Sequence, residues 1–364
     1  MVSALGLVGF EVTLASPAHK NSSPMPGPEE IAGYYSVKNN FEVYYVKGPY
    51  PFFRGFEKMS HAVTALRDSF LKKEFDLYYT RNLPVLIAAL LFTQKPVLFE
   101  SYRPWPSQNI FMRWLFKLLA KKKRFIGIIV HSEYAAKSYI NHGMASERVL
   151  VAHNGIWPER FQNHTDKKKA RSHLKLSPDG IIATYTGRVN KEKGLEVILS
   201  LAVRFPSVTF LIVGSEEEGE IEIKARKLPN VKIYPWQSFD DLPPFLYASD
   251  ILIIPPTDKP LKEVGNTVLP MKTFLYLASK RAILAPSSPD LLEILTDGVN
   301  AKLAVPDDLE SICSAMSTLI EQPETRRKLG EQAYHDVIRC SWENRAGRIG
   351  KFICERYSQY RSDP

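Results

Sequence analysis

Residues 183–194 read ATYTGRVNKEKG, and this stretch decides the fold. An apolar run that reads as a buried strand stops at Gly187, puts out Arg188, and passes through further charges before Lys193 and Gly194. The stretch that follows, GLEVILSLAVRF, spaces Leu195, Ile198, Leu199, Ala202 and Phe205 as one face of a helix packed on a sheet. The charges therefore sit in a turn between a strand and a helix. In open α/β sheets ligands bind at the carboxyl ends of the strands, and the free amides and dipole of the following helix favour an anion there.

The plan repeats in both directions. Upstream, EVTLAS, FEVYYV, FDLYYT, KPVLFES, FIGIIVHS and RVLVAHNG alternate with amphipathic segments near 57–73, 84–94, 109–121 and 133–142. Downstream, IIATYTG, VTFLIVGS, VKIYPW, ILIIPP, AILAP and AKLAVP are separated by segments of helical pattern near 194–204, 240–248, 270–279, 289–296 and 307–320. Strands alternating with helices imply parallel crossovers, so the expectation is two doubly wound α/β halves. The polar, charged stretch NHTDKKKARSHLKLSPDG between them reads as a linker. The chain opens with VSALGLVG leading straight into EVTLAS. The strand and glycine turn with which such a domain normally begins are therefore expected to be missing from the first half.

Composition narrows the function. A chain of 364 residues, 45% apolar and without biased tracts, is long enough for two cores and is expected to be an ordinary soluble protein. Residues 1–162 hold 20 Lys and Arg against 12 Asp and Glu, while the remainder holds 28 against 27, so nearly all the positive charge lies in the first half. That asymmetry points to an anionic surface or substrate near that half. No helix-turn-helix pattern, aromatic RNA-binding signature or zinc spacing supports nucleic acid as the partner. Cys313, Cys340 and Cys354 form no Cys-x-x-Cys pair, which suits a reduced, cytoplasmic protein without a metal site. The longest apolar run, LPVLIAALLF, is too short to span a bilayer, and no basic leader precedes the apolar start.

At the strand end after Thr186, Arg188 can fork around a phosphate and Lys193 supplies a compact charge. In GNTVLPMKTFLYLASKRAILAP, Lys272 stands near the start of another helix after another strand and loop, so a second cation can converge on the same crevice. Tyr234 and Trp236 end a third strand and can form an aromatic wall for a base. Separately, the turn reads as solvated charge and the tryptophan as packing; together, at three strand ends, they point to a nucleoside diphosphate site.

With these residues in view the chain resembles the family 4 glycosyltransferases of the GT-B fold. The likeness is carried by YTGRVNKEKGLEVIL, LIVGS, VKIYPW, LYASDILIIPP, LPMKTFLYLASKRAILAP and DLLEILTDGVNAKLAVPDD. In the first half DLYYTRN, KPVLFES and VHSEYAAKSYINHGMASERVLVAHNGIWPERF carry it, and the whole covers most of residues 76–353. The resemblance implies two facing Rossmann-like domains with the active site in the cleft. The acceptor domain is expected over 1–162, the nucleotide-sugar domain over 163–338, and a terminal helix over 339–364 crossing back to the first. It also implies transfer with retention from a nucleoside diphosphate sugar to a glycan or lipid-linked sugar, with no metal and no cofactor beyond the donor substrate. Arg188 and Lys193 take the catalytic role of neutralising the departing diphosphate, while Gly187, Asn266, Thr267, Met271, Lys272, Tyr234 and Trp236 are expected on the donor and Glu100, Tyr102 and His131 on the acceptor side.

The sequence departs from the family pattern in three places. Where relatives carry two glutamates, the second on the nucleotide ribose, this chain has Thr267 and Leu275, with Glu263 as a candidate substitute in the preceding loop. Where relatives place a histidine two residues after the strand glutamate, Tyr102 stands after Glu100 and Ser101. The opening strand is the third. These departures leave open a second reading, a noncatalytic protein of the same fold that binds a nucleotide, glycan or partner.

Residues 109–125, NIFMRWLFKLLAKKKRF, read as a helix with Ile110, Trp114, Leu115 and Leu118 among its apolar positions, ending in Lys121, Lys122, Lys123 and Arg124. Cations at a helix carboxyl end are favoured by its dipole. The same arrangement suits contact with anionic lipid, so the protein is expected in the cytoplasm or peripherally on the inner membrane face.

Overall fold

The structure, a computed structural model, describes residues 1–18, 24–46, 62, 64–67, 75–161, 165–238, 240–259 and 269–362. They form two compact units, Met1–His153 with Trp342–Pro364 and Asn154–Ser341. The chain changes unit at 153 and 341, whereas the expected bounds were 162 and 338. The cause is local. Ile156 pairs with Ser341 in a parallel bridge and its amide donates to the Cys340 carbonyl at 2.9 Å, so the segment ahead of the linker already belongs to the second unit.

The first unit opens with a helix over Val2–Leu7 and carries strands β1 (Thr13–Pro17), β2 (Glu42–Val46), β3 (Tyr78–Thr80), β4 (Val97–Ser101), β5 (Phe125–Val130) and β6 (Val149–Val151). β1 and β2 form one parallel pair, and β3-β4-β5-β6 form a second, wholly parallel sheet. Among the described residues, β1 pairs only with β2 and β3 only with β4. Every residue of β4 and β5 is buried, as continuous apolar runs covered on both faces must be. The crossovers are the Leu83–Phe92, Ile110–Ala120 and Glu133–Asn141 helices. Asn109 and Ser132 cap the last two, accepting the Met112 amide at 2.9 Å and the Ala135 amide at 3.2 Å. The long Trp342–Ser362 helix belongs to this unit, tied by Arg348 to the Val151 carbonyl at 2.7 Å and by the Tyr360 hydroxyl to the Gln94 carbonyl at 3.1 Å.

The second unit holds β7 (Ile182–Thr186), β8 (Thr209–Ser215), β9 (Val231–Pro235), β10 (Ile251–Ile253), β11 (Ala282–Pro286) and β12 (Lys302–Ala304). They form one parallel sheet in the order β12-β11-β10-β7-β8-β9. The order reverses between β7 and β10, and a crevice at that reversal is where a doubly wound sheet binds its ligand. Apolar clusters cover both faces, one around Phe274, Tyr276 and Leu252, the other around Ile198, Ile212 and Met316. The helical pattern at 289–296 forms only a short 3-10 turn at Leu291–Glu293, because Asn300 closes the segment into a loop through Ile294 and Thr296. A further helix, Pro323–Val337, follows Leu309–Glu321 and was not separately legible in the pattern. Among the described residues no helix is long and apolar enough to cross a membrane.

One buried ion pair holds the entry to this unit. Arg171, on the Lys167–His173 helix, donates to the Asp250 carboxylate at 2.6 Å, to the Ala248 carbonyl at 3.0 Å and to the Pro178 carbonyl at 2.8 Å. Asp250 also accepts the Ile182 amide at 2.9 Å, joining the starts of β7 and β10. Replacing Arg171 by Met leaves that carboxylate buried without its buried cation, which is expected to cost about 3–5 kcal/mol in urea unfolding. A loss below about 1 kcal/mol would show that the partly exposed Lys167 suffices.

Candidate functional site

The chemistry of the second unit gathers where β7 ends. Gly187 adopts φ of 128°, and Gly214, at the end of neighbouring β8, adopts 122°. A side chain on Gly214 would meet the Gly187 carbonyl oxygen at 2.4 Å, so these two backbones approach as only glycine permits. The Lys272 ammonium sits 3.7 Å from the centroid of the buried Tyr185 ring and 3.0 Å from where a Gly187 side chain would begin. Tyr185 in turn donates its hydroxyl to the Arg188 carbonyl at 2.8 Å. The structure thus brings Gly187, Tyr185 and Lys272 together at the sheet reversal.

Lys272 has no ion pair or hydrogen bond among the described residues. Burial, and secondarily the charge of Lys193, hold it well below the ordinary lysine range. Lys193 is therefore close enough to act on it electrostatically. Of the turn's other basic residues, Lys191 is engaged by Glu220 at 2.7 Å, whereas the Arg188 side chain is exposed. Tyr276 secures the helix that carries Lys272, its hydroxyl oxygen accepting the Thr186 amide at 2.8 Å. Among the described residues that helix, Met271–Ala278, starts without a side-chain cap, and the buried Thr273 hydroxyl in its first turn has no partner. Two cations, uncapped amides and an unsatisfied hydroxyl are what an anion would complete.

The remaining donor-side residues fall elsewhere. Met271 is exposed, on the first residue of the helix. Tyr234 packs edge-on against Phe245 at 4.9 Å, and Trp236 is exposed beyond the end of β9. β8 lies between β9 and β7, so the strand these aromatics end is two strand spacings, about 10 Å, from the strand that ends at Gly187. Asn266, Thr267 and Glu263 lie outside the described residues. Leu275 is 7% exposed and belongs to the core cluster, so a carboxylate at that position would enter apolar packing.

The first unit builds a different centre at the ends of β3, β4 and β5. Glu100 is 2% exposed and accepts from the Tyr79 hydroxyl at 2.5 Å, Arg81 at 2.5 Å, His131 Nε2 at 2.7 Å and Arg345 at 2.9 Å. Burial alone would raise its pKa, but the His131 hydrogen bond and the charges of Arg345 and Arg81 outweigh that and hold it well below the carboxylate range. Burial lowers the pKa of His131, against the pull of Glu100. A neutral His131 then donates from Nε2 and leaves Nδ1 as an acceptor, and Nδ1 is buried without a partner among the described residues. Tyr102 stacks on the His131 ring at 4.3 Å and lies under the Arg81 guanidinium at 4.4 Å. Burial raises the Tyr102 pKa, so it stands here as a phenol and hydrogen-bonding group.

Glu100, Tyr102 and His131 are therefore neighbours, as the sequence suggested, but Tyr79, Arg81 and Arg345 were missed. Arg81 had a readable signal, since it follows a strand end as Arg188 does. Arg345 had none; it reaches Glu100 from 245 positions away along the chain. Among the described residues no group of three or more His, Cys, Asp and Glu is placed to hold a metal ion.

Two sequence profiles match this chain in succession: Glycosyltransferase Family 4 over residues 1–160 and Glycosyl transferases group 1 over residues 166–336. The lipopolysaccharide 1,2-N-acetylglucosaminetransferase of Salmonella typhimurium is 24% identical over 239 residues, 61% of this chain and 60% of its own length. The sulfoquinovosyl transferase SQD2 of Arabidopsis thaliana is 24% identical over 291 residues, 78% of this chain and 54% of its own. The chain thus spans between half and two thirds of the length of these curated relatives. Among solved structures, Anabaena Alr3699/HepE in complex with UDP-glucose superposes with a TM-score of 0.70 at 15% identity, covering 95% of this chain and 99% of the other.

The Glu100 centre makes a prediction about acid stability. A carboxylate whose pKa is lower in the folded than in the unfolded chain stabilises above the unfolded value, and that stability is lost as pH falls through the folded value. Besides its four donors, Tyr102 lies in its field, and burial raises that phenol's pKa, so it does not titrate in acid. Glu100→Gln is expected to lose about 3–5 kcal/mol at neutral pH. The variant and the wild type should converge in strong acid, as followed by urea unfolding at several pH values, and a gap constant with pH would assign the loss to packing.

Proposed function

Because this chain belongs to the family 4, group 1 glycosyltransferases with the two-domain, Rossmann-like GT-B fold, we propose that it transfers a sugar with retention from a nucleoside diphosphate sugar to a lipid- or polysaccharide-linked acceptor. The observation that carries this reading is Lys272, a partly buried cation at the sheet reversal with no counter-charge among the described residues. A diphosphate supplies that counter-charge. Alr3699/HepE was solved with UDP-glucose, which supports a uridine diphosphate sugar as the first donor to test. The relatives named for lipopolysaccharide and sulfoquinovosyl transfer support the acceptor class.

In this reading the bond from the anomeric carbon to the diphosphate oxygen breaks, and the electron pair stays on the diphosphate. The acceptor hydroxyl attacks from the face that the diphosphate leaves, and its proton passes to the departing phosphate oxygen. Charge grows on the diphosphate as the bond lengthens. On this reading Arg188, Lys193 and Lys272 stabilise it, a preorganised electrostatic contribution that costs no rearrangement at the moment of reaction. Trp236 and Tyr234 would then receive the base, and Glu100, Tyr102 and His131 would orient the acceptor. The donor is a substrate, and the reading calls on no metal or separate cofactor.

A second reading, binding without transfer, is favoured by Leu275. At the position where the family resemblance implies a ribose-holding glutamate, a core leucine offers the ribose no hydrogen bond.

Two measurements test the proposal. Binding of UDP should raise the lowered pKa of Lys272, so calorimetry from neutral to alkaline pH, in buffers of different ionisation enthalpy, is expected to show proton uptake as pH passes through the free protein's value, with affinity falling as pH rises. Lys193→Ala removes the neighbouring charge that depresses Lys272 and should reduce that uptake; no uptake in either protein would remove Lys272 from the diphosphate site.

For the chemical step, Arg188→Ala and Lys193→Ala are each expected to lower turnover of UDP-glucose by on the order of a hundredfold or more while weakening UDP binding much less. Tight UDP binding with no turnover in the wild type, in hydrolysis as in transfer, would select the second reading. Weakened UDP affinity with turnover at saturating donor unchanged would place these residues in ground-state binding.

A further inference from the structure

The Ile110–Ala120 helix is apolar on two opposite faces. At about 100° per residue, Met112, Leu115, Phe116 and Leu119 share one face and pack on the core of the first unit. Ile110, Phe111, Trp114 and Leu118 share the other, and they are 80%, 60%, 59% and 42% exposed. Arg113, Lys117 and Lys121 follow at intervals of four along the margin of this outer face, all exposed, and Lys122 continues past its end. From Ser101 to Ser132 the chain carries seven Lys and Arg and no Asp or Glu. A surface helix ordinarily turns one apolar stripe inward and polar residues outward.

The geometry points to an anionic bilayer surface as the partner of this outer face. The two chemistries of the face call for different surroundings. The aromatic and aliphatic side chains need an apolar phase, and the adjoining cations need fixed negative charge, as the boundary between acyl chains and acidic headgroups provides. Eleven residues span about 16 Å, too short to cross a bilayer and suited to lying in its surface. A second copy of the chain would bring like-charged margins together, which opposes self-pairing.

The contact differs from the one expected from sequence. Arg124 does not join it, because it is partly buried and its guanidinium donates to the Leu90 carbonyl at 2.8 Å. That bond sets the end of the Leu83–Phe92 helix beside the basic turn, and Leu91 and Phe92 there are exposed. The apolar residues of the outer face, which could have been read as core, are the part that enters the lipid. This inference goes beyond the transfer reaction and does not rest on it.

Cosedimentation with phosphatidylglycerol/phosphatidylcholine vesicles, against phosphatidylcholine alone, tests it on the full chain. The wild type should bind the acidic vesicles, with a blue shift of tryptophan fluorescence that Trp114→Ser abolishes. Lys117→Gln, Lys121→Gln and Lys122→Gln combined should weaken binding on the order of a hundredfold. Phe111→Ser with Trp114→Ser should abolish it, and both variants should keep the wild-type melting temperature because the replaced side chains are exposed. Equal binding to neutral and acidic vesicles, or binding unchanged in both variants, would overturn the inference. So would a wild-type dimer that the Phe111/Trp114 variant converts to monomer without any vesicle binding, which would make the face a contact between copies.

Discussion

A parallel sheet covered on both faces has no room for polar chemistry along its strands, and that constraint organises both units. β4, β5, β7 and β11 are buried at every residue. What such strands can offer a ligand is confined to their ends, where the chain must turn and backbone groups lose their ladder partners. The carboxyl ends of the strands in the first unit carry Arg81, Glu100 and His131, and the end of β7 carries Gly187 and Arg188. The positions are a consequence of the sheet; the choice of residues gives each its chemistry.

The two centres handle charge in opposite ways. In the first unit, Glu100 is surrounded by donors, so its charge is balanced inside the protein and the cluster can be rigid without any ligand. In the second, the charge of Lys193 weighs against that of Lys272, and no carboxylate among the described residues pairs with Lys272. A buried charge without a partner is costly, and protein structures retain one where something outside completes it. This asymmetry is the physical ground for the proposal that an anionic substrate binds the second unit, and it is independent of any likeness to other proteins.

Much of the fold was legible because buried parallel strands leave continuous apolar runs, and helices between them leave a 3.6-residue period. Arg188, Lys193 and Lys272 were legible because each follows a strand-end signal. The misses have a different character. The unit boundary at 153 rather than 162 depends on Ile156 bridging to Ser341, a pairing that local pattern cannot express. Arg345 lies in a helix whose sequence shows only amphipathicity, and its role arises when the chain returns to the first unit. At 289–296 the helical period was present, yet the side chain of Asn300 offered the backbone a loop that competed successfully with the helix.

Apolar periodicity also says which faces of a helix are greasy without saying which one meets the core, and the Ile110–Ala120 helix exposes that limit. Its packed face is the one with Phe116 and Leu119, both buried. With that face occupied, Trp114 and Ile110 have no core left to enter. The same reasoning runs in reverse for Leu275. Its place in the Met271–Ala278 helix suggested a surface that meets the ribose, but the helix buries every residue from Thr273 to Ala278. A short helix buried over most of its length can present only its amino-terminal end to a ligand. On the proposed reading, the donor therefore meets this helix through Met271, Lys272 and the uncapped amides of the first turn, groups suited to phosphate rather than to sugar or base.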